Sequence, residues 1–120
     1  MKKIANKNST RYCASVQEQR IANKFNGYAS FSSGSSKFQK SDVIVEDASL
    51  QIECKTVMSP KDSFSIKKEW IEKDKKEAFA NRLSNTAIAF NFYYEDKEDF
   101  YVIDDKLMKF LVEKLKEEEM

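Results

Sequence analysis

The 120-residue chain contains no histidine. That removes the side chain that most often acts as a general base near neutral pH, and the usual nitrogen ligand of zinc. Nucleases built on a histidine base are excluded, as are Ser-His and Cys-His hydrolases. Chemistry must rest on carboxylates, lysines, hydroxyls and a hard cation. Cysteine is nearly as scarce: Cys13 and Cys54 make no framework, and reduced thiols in a cytoplasmic protein are the expectation. No apolar run approaches the ~20 residues that span a bilayer, and no signal-peptide pattern follows Met1. At this length a single domain with a modest core is expected.

Charge is plentiful and unevenly placed. Residues 1–42 carry eight Lys/Arg against Glu18 and Asp42, whereas residues 95–120 carry five lysines against ten acids. The molecule is therefore polarised, with a basic end able to meet phosphates although the net charge is only +1.

Residues 1–12, with Lys2 and Lys3, lack apolar periodicity and read as a flexible basic arm, leaving residues 13–120 as the domain. A helix is predicted from about Ser15 to Asn26, stopped by Asn26-Gly27. Its apolar stripe is Ala14, Ile21, Ala22 and Phe25, and Glu18 falls on that stripe. A carboxylate there is costly unless it is paired or ligates a metal. Tyr28 to Phe31 reads as a strand, followed by a hydroxyl-rich loop around Gly34. Ser35 and Ser36, flanked by Lys37 and Lys40, can meet phosphate oxygens there.

The central stretch runs from Ser41 to Thr56. Val43-Ile44-Val45 is β-branched and continuous, as in a strand buried on both faces. After the turn formers Glu46 to Ser49, Leu50 to Lys55 alternates with a period of two. Gln51, Glu53 and Lys55 share one face, and Leu50, Ile52 and Cys54 the other. A hairpin would bring Asp42 near Glu53 and Lys55, the makings of a metal site. A loop containing Pro60 leads to a helix from about Ser65 to Leu83, with Ile66, Trp70, Ile71, Ala78 and Phe79 inward. Lys67 and Lys68 sit in its first turn, where an external anion is favoured. Strands over Thr86–Phe92 and Phe100–Ile103 follow. Asp104 or Asp105 then caps a closing helix with Leu107, Leu111 and Leu115 inward.

Asp42, with Glu53-Cys54-Lys55 eleven residues on and an acid-bearing helix before it, resembles the signature of the PD-(D/E)xK nuclease superfamily. Within it, the chain is most similar to the archaeal-type and phage-encoded Holliday junction resolvases. Glu18, Gly34-Ser35, Asp42, Glu53, Lys55 and the segment Ser63 to Trp70 carry the likeness, over roughly residues 14–92. Ser41 stands where the superfamily often has proline. The elements read along the chain give the order α-β-β-β-α-β-β-α, and the resemblance implies that they form an α/β restriction-endonuclease-like core, with a central mixed sheet flanked by helices. It also implies contact between Ser35 or Ser36 and the DNA backbone.

On physical grounds Asp42 and Glu53 would anchor Mg²⁺, with Mn²⁺ able to substitute, and the Cys54 carbonyl would add a third oxygen. Such an ion polarises a phosphate and acidifies a bound water. Lys55 would orient that water or offset developing charge. Glu18 would be an additional or outer ligand. The expectation is a Mg²⁺-dependent DNA endonuclease of the cytoplasm, a host cytoplasm if phage-encoded, that resolves four-way junctions by paired nicks. Paired nicks call for a homodimer, with no organic cofactor and no membrane. Aromatic residues of the edge strand and closing helix are candidates for its interface. Lys2, Lys3, Lys37, Lys40, Lys67 and Lys68 would contact DNA. Three alternatives stay open: a same-fold nuclease acting on other branched or duplex DNA, a non-catalytic DNA-binding module, and an RNase H-like resolvase, which would give Lys55 no role.

Overall fold

The structure, a computed structural model, describes residues 9–30 and 42–118. Helix α1 spans Thr10–Phe25 and is followed by β1 (Tyr28–Ser30), β2 (Asp42–Val45) and β3 (Leu50–Lys55). Helix α2 (Lys68–Ala80), β4 (Asn85–Phe90), β5 (Phe100–Val102) and α3 (Asp105–Glu118) complete the order α-β-β-β-α-β-β-α. The five strands form one mixed sheet in sequential order β1 to β5. All neighbours are antiparallel except β3 and β4. A parallel pair needs a crossover, and α2 supplies it.

Helix α1 starts earlier than its apolar stripe suggests. The Ser9 hydroxyl accepts from the Tyr12 amide at 3.1 Å, a side-chain N-cap that brings Thr10 to Tyr12 into the helix. Residues 10–12, read as part of the basic arm, are therefore helical, and Lys2 and Lys3 lie outside the described residues. At the other end Asn26 takes a left-handed conformation (φ 62°) and the Gly27 amide donates to the Ala22 carbonyl at 2.8 Å. Gly27 is required by close approach: a Cβ there would collide with the Ile44 carbonyl of β2.

The core lies between α1 and one face of the sheet, where Ile21 and Ala22 pack on Val43, Val45, Ile52, Cys54, Ala87 and Ala89. Burying a side chain such as Ile21 or Ile52 contributes about 1.5–3 kcal/mol. Helix α2 covers the opposite face, which carries Gln51, Glu53 and Ile88. Strand β2 is buried on both faces, as its composition predicts.

Several inward assignments differ. Helix α2 begins at Lys68, because Phe64 stacks on Phe90 (centroids 4.7 Å apart) and Lys67 stays extended. Ile66 therefore precedes the helix and is exposed. Phe79 is 84% exposed, since Ala78 takes the inward place beside it. Phe25 is partly exposed, with its ring edge-on to Tyr101 at 5.9 Å. Helix α3 has no buried residue, so Leu111 and Leu115 are not core. Among the described residues no helix is long and apolar enough to cross a membrane.

Candidate metal centre

Strand register builds the site. Asp42 lies directly opposite Glu53 in the antiparallel β2–β3 pair, so both carboxyls project from the same face. Lys55, two residues along, follows on that face, with its Nζ 3.2 Å from Glu53 Oε2. Helix α2 adds Asp74 and Glu77, spaced i,i+3 and hence on one side of the helix. One oxygen from each of Asp42, Glu53, Asp74 and Glu77 lies within 4.8 Å of all the others, so the group can hold a metal ion.

The electrostatics ask for a cation. Asp42 and Asp74 are 4% and 1% exposed. Burial, then a hydrogen bond shared with Glu53 and the charges of Glu53, Glu77 and Asp74, raise the Asp42 carboxyl far above the ordinary carboxylate range. Two carboxyls share a hydrogen bond only when one keeps a proton. Burial also pushes Asp74 up to about 7, against the opposing hydrogen bond from Gln51. Asp42 Oδ1 and Asp74 Oδ2 are buried without a hydrogen-bond partner among the described residues. Such an oxygen costs about 1–3 kcal/mol, and a hard cation would offset that cost. Lys55 pairs with Glu53, and Lys73 with Glu77 at 3.5 Å. With a cation in place of those protons, four carboxylates beside the two lysine side chains would leave about two negative charges, the complement of one divalent ion.

Lys55 is held from three sides. Its ammonium lies 3.2 Å from Glu53 and 4.2 Å from the ring centroid of Trp70, a cation–π contact. Its backbone carbonyl accepts from Gln17 Nε2 at 3.1 Å. The same amide nitrogen donates to Asp99 Oδ1, and Gln17 Oε1 accepts from Thr56 at 2.6 Å. Arg20 anchors the network with two hydrogen bonds to Asp99, at 2.7 and 2.9 Å. Helix α1 thus fixes the end of β3 that carries Lys55.

Asp42, Glu53 and Lys55 are brought together as their spacing predicts. Glu18 is buried on α1, one turn before Ile21 and Ala22, and lies outside the four-carboxylate group. Its charge acts on Cys54, whose thiol is raised first by burial and then by Glu18. Cys54 faces the α1 core, and its thiol is packing. Lys67 and Lys68 are exposed at the start of α2, Lys67 5.7 Å from the Trp70 ring centroid and Lys68 3.9 Å from Glu72. Ser35, Ser36, Lys37 and Lys40 fall outside the described residues, as do Lys2 and Lys3.

Sequence reasoning missed Asp74, Glu77 and Gln17. The signal for Asp74 was present: it stands three residues after Ile71 and four before Ala78, on the inward stripe of α2. That is the same misplacement that singles out Glu18 on α1. No family model, curated protein or solved structure matches the chain.

Proposed function

We propose that this protein is a Mg²⁺-dependent endonuclease of the restriction-endonuclease-like fold that hydrolyses DNA phosphodiesters, with four-way junctions as substrate. One observation carries the reading. Asp42 and Glu53 are paired across adjacent strands, with Lys55 on the same face and its ammonium against Glu53. That is the arrangement implied by the Asp…Glu-x-Lys pattern, and the element order and mixed sheet are compatible with it.

The donor set is all carboxylate oxygen, suited to Mg²⁺ or Mn²⁺ and not to a soft metal. Asp42 and Glu53 would hold the ion with Asp74 and Glu77, and the Cys54 carbonyl and Glu18 are outer candidates. When bound, the ion supplies Lewis-acid polarisation of a phosphate and a water acidic enough to ionise near neutral pH. Lys55 Nζ, held between Glu53 and the Trp70 ring, would donate a hydrogen bond to a phosphate oxygen as charge develops there. Lys67 and Lys68 would meet the DNA backbone on the α2 side, with Ser35, Ser36, Lys37, Lys40 and the arm lysines Lys2 and Lys3 completing the surface. Binding should then weaken steeply with salt.

Gel-shift competition between a labelled four-way junction and linear duplex of the same sequence, without Mg²⁺, tests the substrate. Preferential retention of the junction is expected. Equal affinity for both would reject the junction and leave a nuclease acting on other DNA.

A further inference from the structure

One ammonium at the metal centre has no part in holding an ion. Lys73 stands on α2 three residues after Trp70 and four before Glu77, spacings that put all three on one edge of the helix. That edge borders the carboxylate group: the Trp70 ring carries the Lys55 ammonium, and Glu77 supplies one of the four oxygens. Lys73 Nζ lies 3.5 Å from Glu77 Oε2, and the charges of Glu53 and Asp42 act on it as well. Its side chain is 57% exposed against 18% for Glu77, which sets the ammonium on the solvent side of the carboxylates.

Helix support is a poor account of this lysine. A lysine four residues before a glutamate is the weaker order of a helical ion pair. The pairing also works against the ion, because an ammonium beside Glu77 competes with a cation for the same carboxylate. What enters from solvent explains it better. A phosphodiester brings negative charge towards four carboxylates, and a cation on the outer side of the group offsets that repulsion. Lys55 is 26% exposed and clamped between Glu53 and Trp70, so its ammonium serves the inner end. Lys73 is the more exposed of the two and meets the strand first.

We infer that Lys73 binds the incoming DNA strand, its ammonium meeting a non-bridging oxygen of the phosphodiester that the metal centre receives. The inference rests on the nuclease reading of that centre and adds a substrate-holding residue outside the Asp…Glu-x-Lys pattern. Lys73 then acts in two opposed directions: it weakens the hold on the cation and strengthens the hold on DNA. The contact is to the backbone, so it gives affinity without preference for junction over duplex.

Lys73→Met separates the two effects, with Lys73→Arg and Lys76→Met for comparison and circular dichroism as the check on folding. Calorimetric titration with Ca²⁺ reads the ion. Anisotropy of fluorescent duplex and four-way junction in saturating Ca²⁺, over a range of salt, reads the DNA. Lys73→Met should bind Ca²⁺ at least about threefold more tightly and both DNAs at least about threefold more weakly. Its plot of log affinity against log salt should be shallower by about 1, for one phosphate contact fewer. Lys73→Arg should restore the DNA affinity and the slope. Lys76→Met removes the same charge from the outer face of α2, and should change each affinity by less than about twofold. Wild-type DNA affinity and salt slope in Lys73→Met would overturn the inference and leave the nuclease reading standing. Loss of both affinities together would assign Lys73 to the support of Glu77, and so overturn it too. A wild type that takes up Ca²⁺ but binds neither DNA would reject this inference and the nuclease reading alike.

Discussion

Gln51 Nε2 donates to Asp74 Oδ1 at 2.9 Å, tying the centre of β3 to α2 and leaving Asp74 Oδ2 buried with no partner among the described residues. Gln51 Oε1 in turn accepts from Asn81 at 3.2 Å, so the glutamine is fixed at both ends of its amide. This bond orients one of the two carboxylates of the group that no motif announced. Asp74→Asn should therefore lower Mn²⁺ affinity by about 10–100-fold, as loss of a ligand or its support does. The same change removes a buried acid, so the metal-free variant should melt above the wild type at pH 8. Isothermal titration and thermal melts read both effects. An affinity equal to wild type would take Asp74 out of the site.

The raised acids give the metal-free protein a pH dependence of definite sign. Asp42 and Asp74 hold protons in the fold that they lose near pH 4 in the unfolded chain. The folded state binds more protons across that interval, so stability is fullest below about pH 4 for these two groups and falls as pH rises. The fall should run through about pH 7 for Asp74 and continue above it for Asp42. Mg²⁺ competes with those protons, so it should raise Tm much more at pH 8 than at pH 5. A Tm gain independent of pH would contradict the assignment of these acids to the ion.

Trp70 is the sole tryptophan of the chain and lies over the Lys55 ammonium, which is in turn bound to Glu53. Cation binding at Glu53 must disturb that pairing, so tryptophan emission should change on titration with Mg²⁺ and reverse with chelator. Glu53→Gln should abolish the response. Trp70→Leu should leave metal affinity within about twofold and slow cleavage by about tenfold, since it loosens Lys55 without removing a ligand. Wild-type rates in Trp70→Leu would show that the ring does not position Lys55.

Asp99 has a fully buried side chain, accepts two hydrogen bonds from Arg20, and links through Gln17 to the Lys55 carbonyl. Asp99→Ala leaves a partly buried guanidinium and a buried amide without their acceptor. A loss of about 3 kcal/mol is expected by denaturant unfolding. A loss within about 0.5 kcal/mol would mean that the network does not hold β3 to α1.

Much of this was legible in the chain. The period-two alternation of Leu50 to Lys55 specified which residues share a face, and register did the rest by setting Asp42 opposite Glu53. The eight-element order followed from the same patterns. What escaped was set by tertiary partners. Phe64 delayed the start of α2 by stacking on Phe90, a contact between residues far apart in sequence. Leu111 and Leu115 are spaced as core residues are, yet periodicity does not tell a core from a surface awaiting a partner. Asp74 was readable in principle, as an acid on an apolar stripe, but lysines and acids crowd the helix around it. Gln17 offered no signal, because a polar residue beside an apolar stripe reads as solvated.

Cleavage of an end-labelled four-way junction, followed as Mg²⁺ is titrated into wild type, Glu53→Gln and Lys55→Ala side by side, tests the central claim most directly. Wild type should cut only with Mg²⁺ or Mn²⁺ and stop on chelation. Each variant should lose at least about 100-fold in rate while still binding the junction. Cutting by wild type in excess chelator, or by either variant at the wild-type rate, would contradict the assignment of Asp42, Glu53 and Lys55 to phosphodiester hydrolysis.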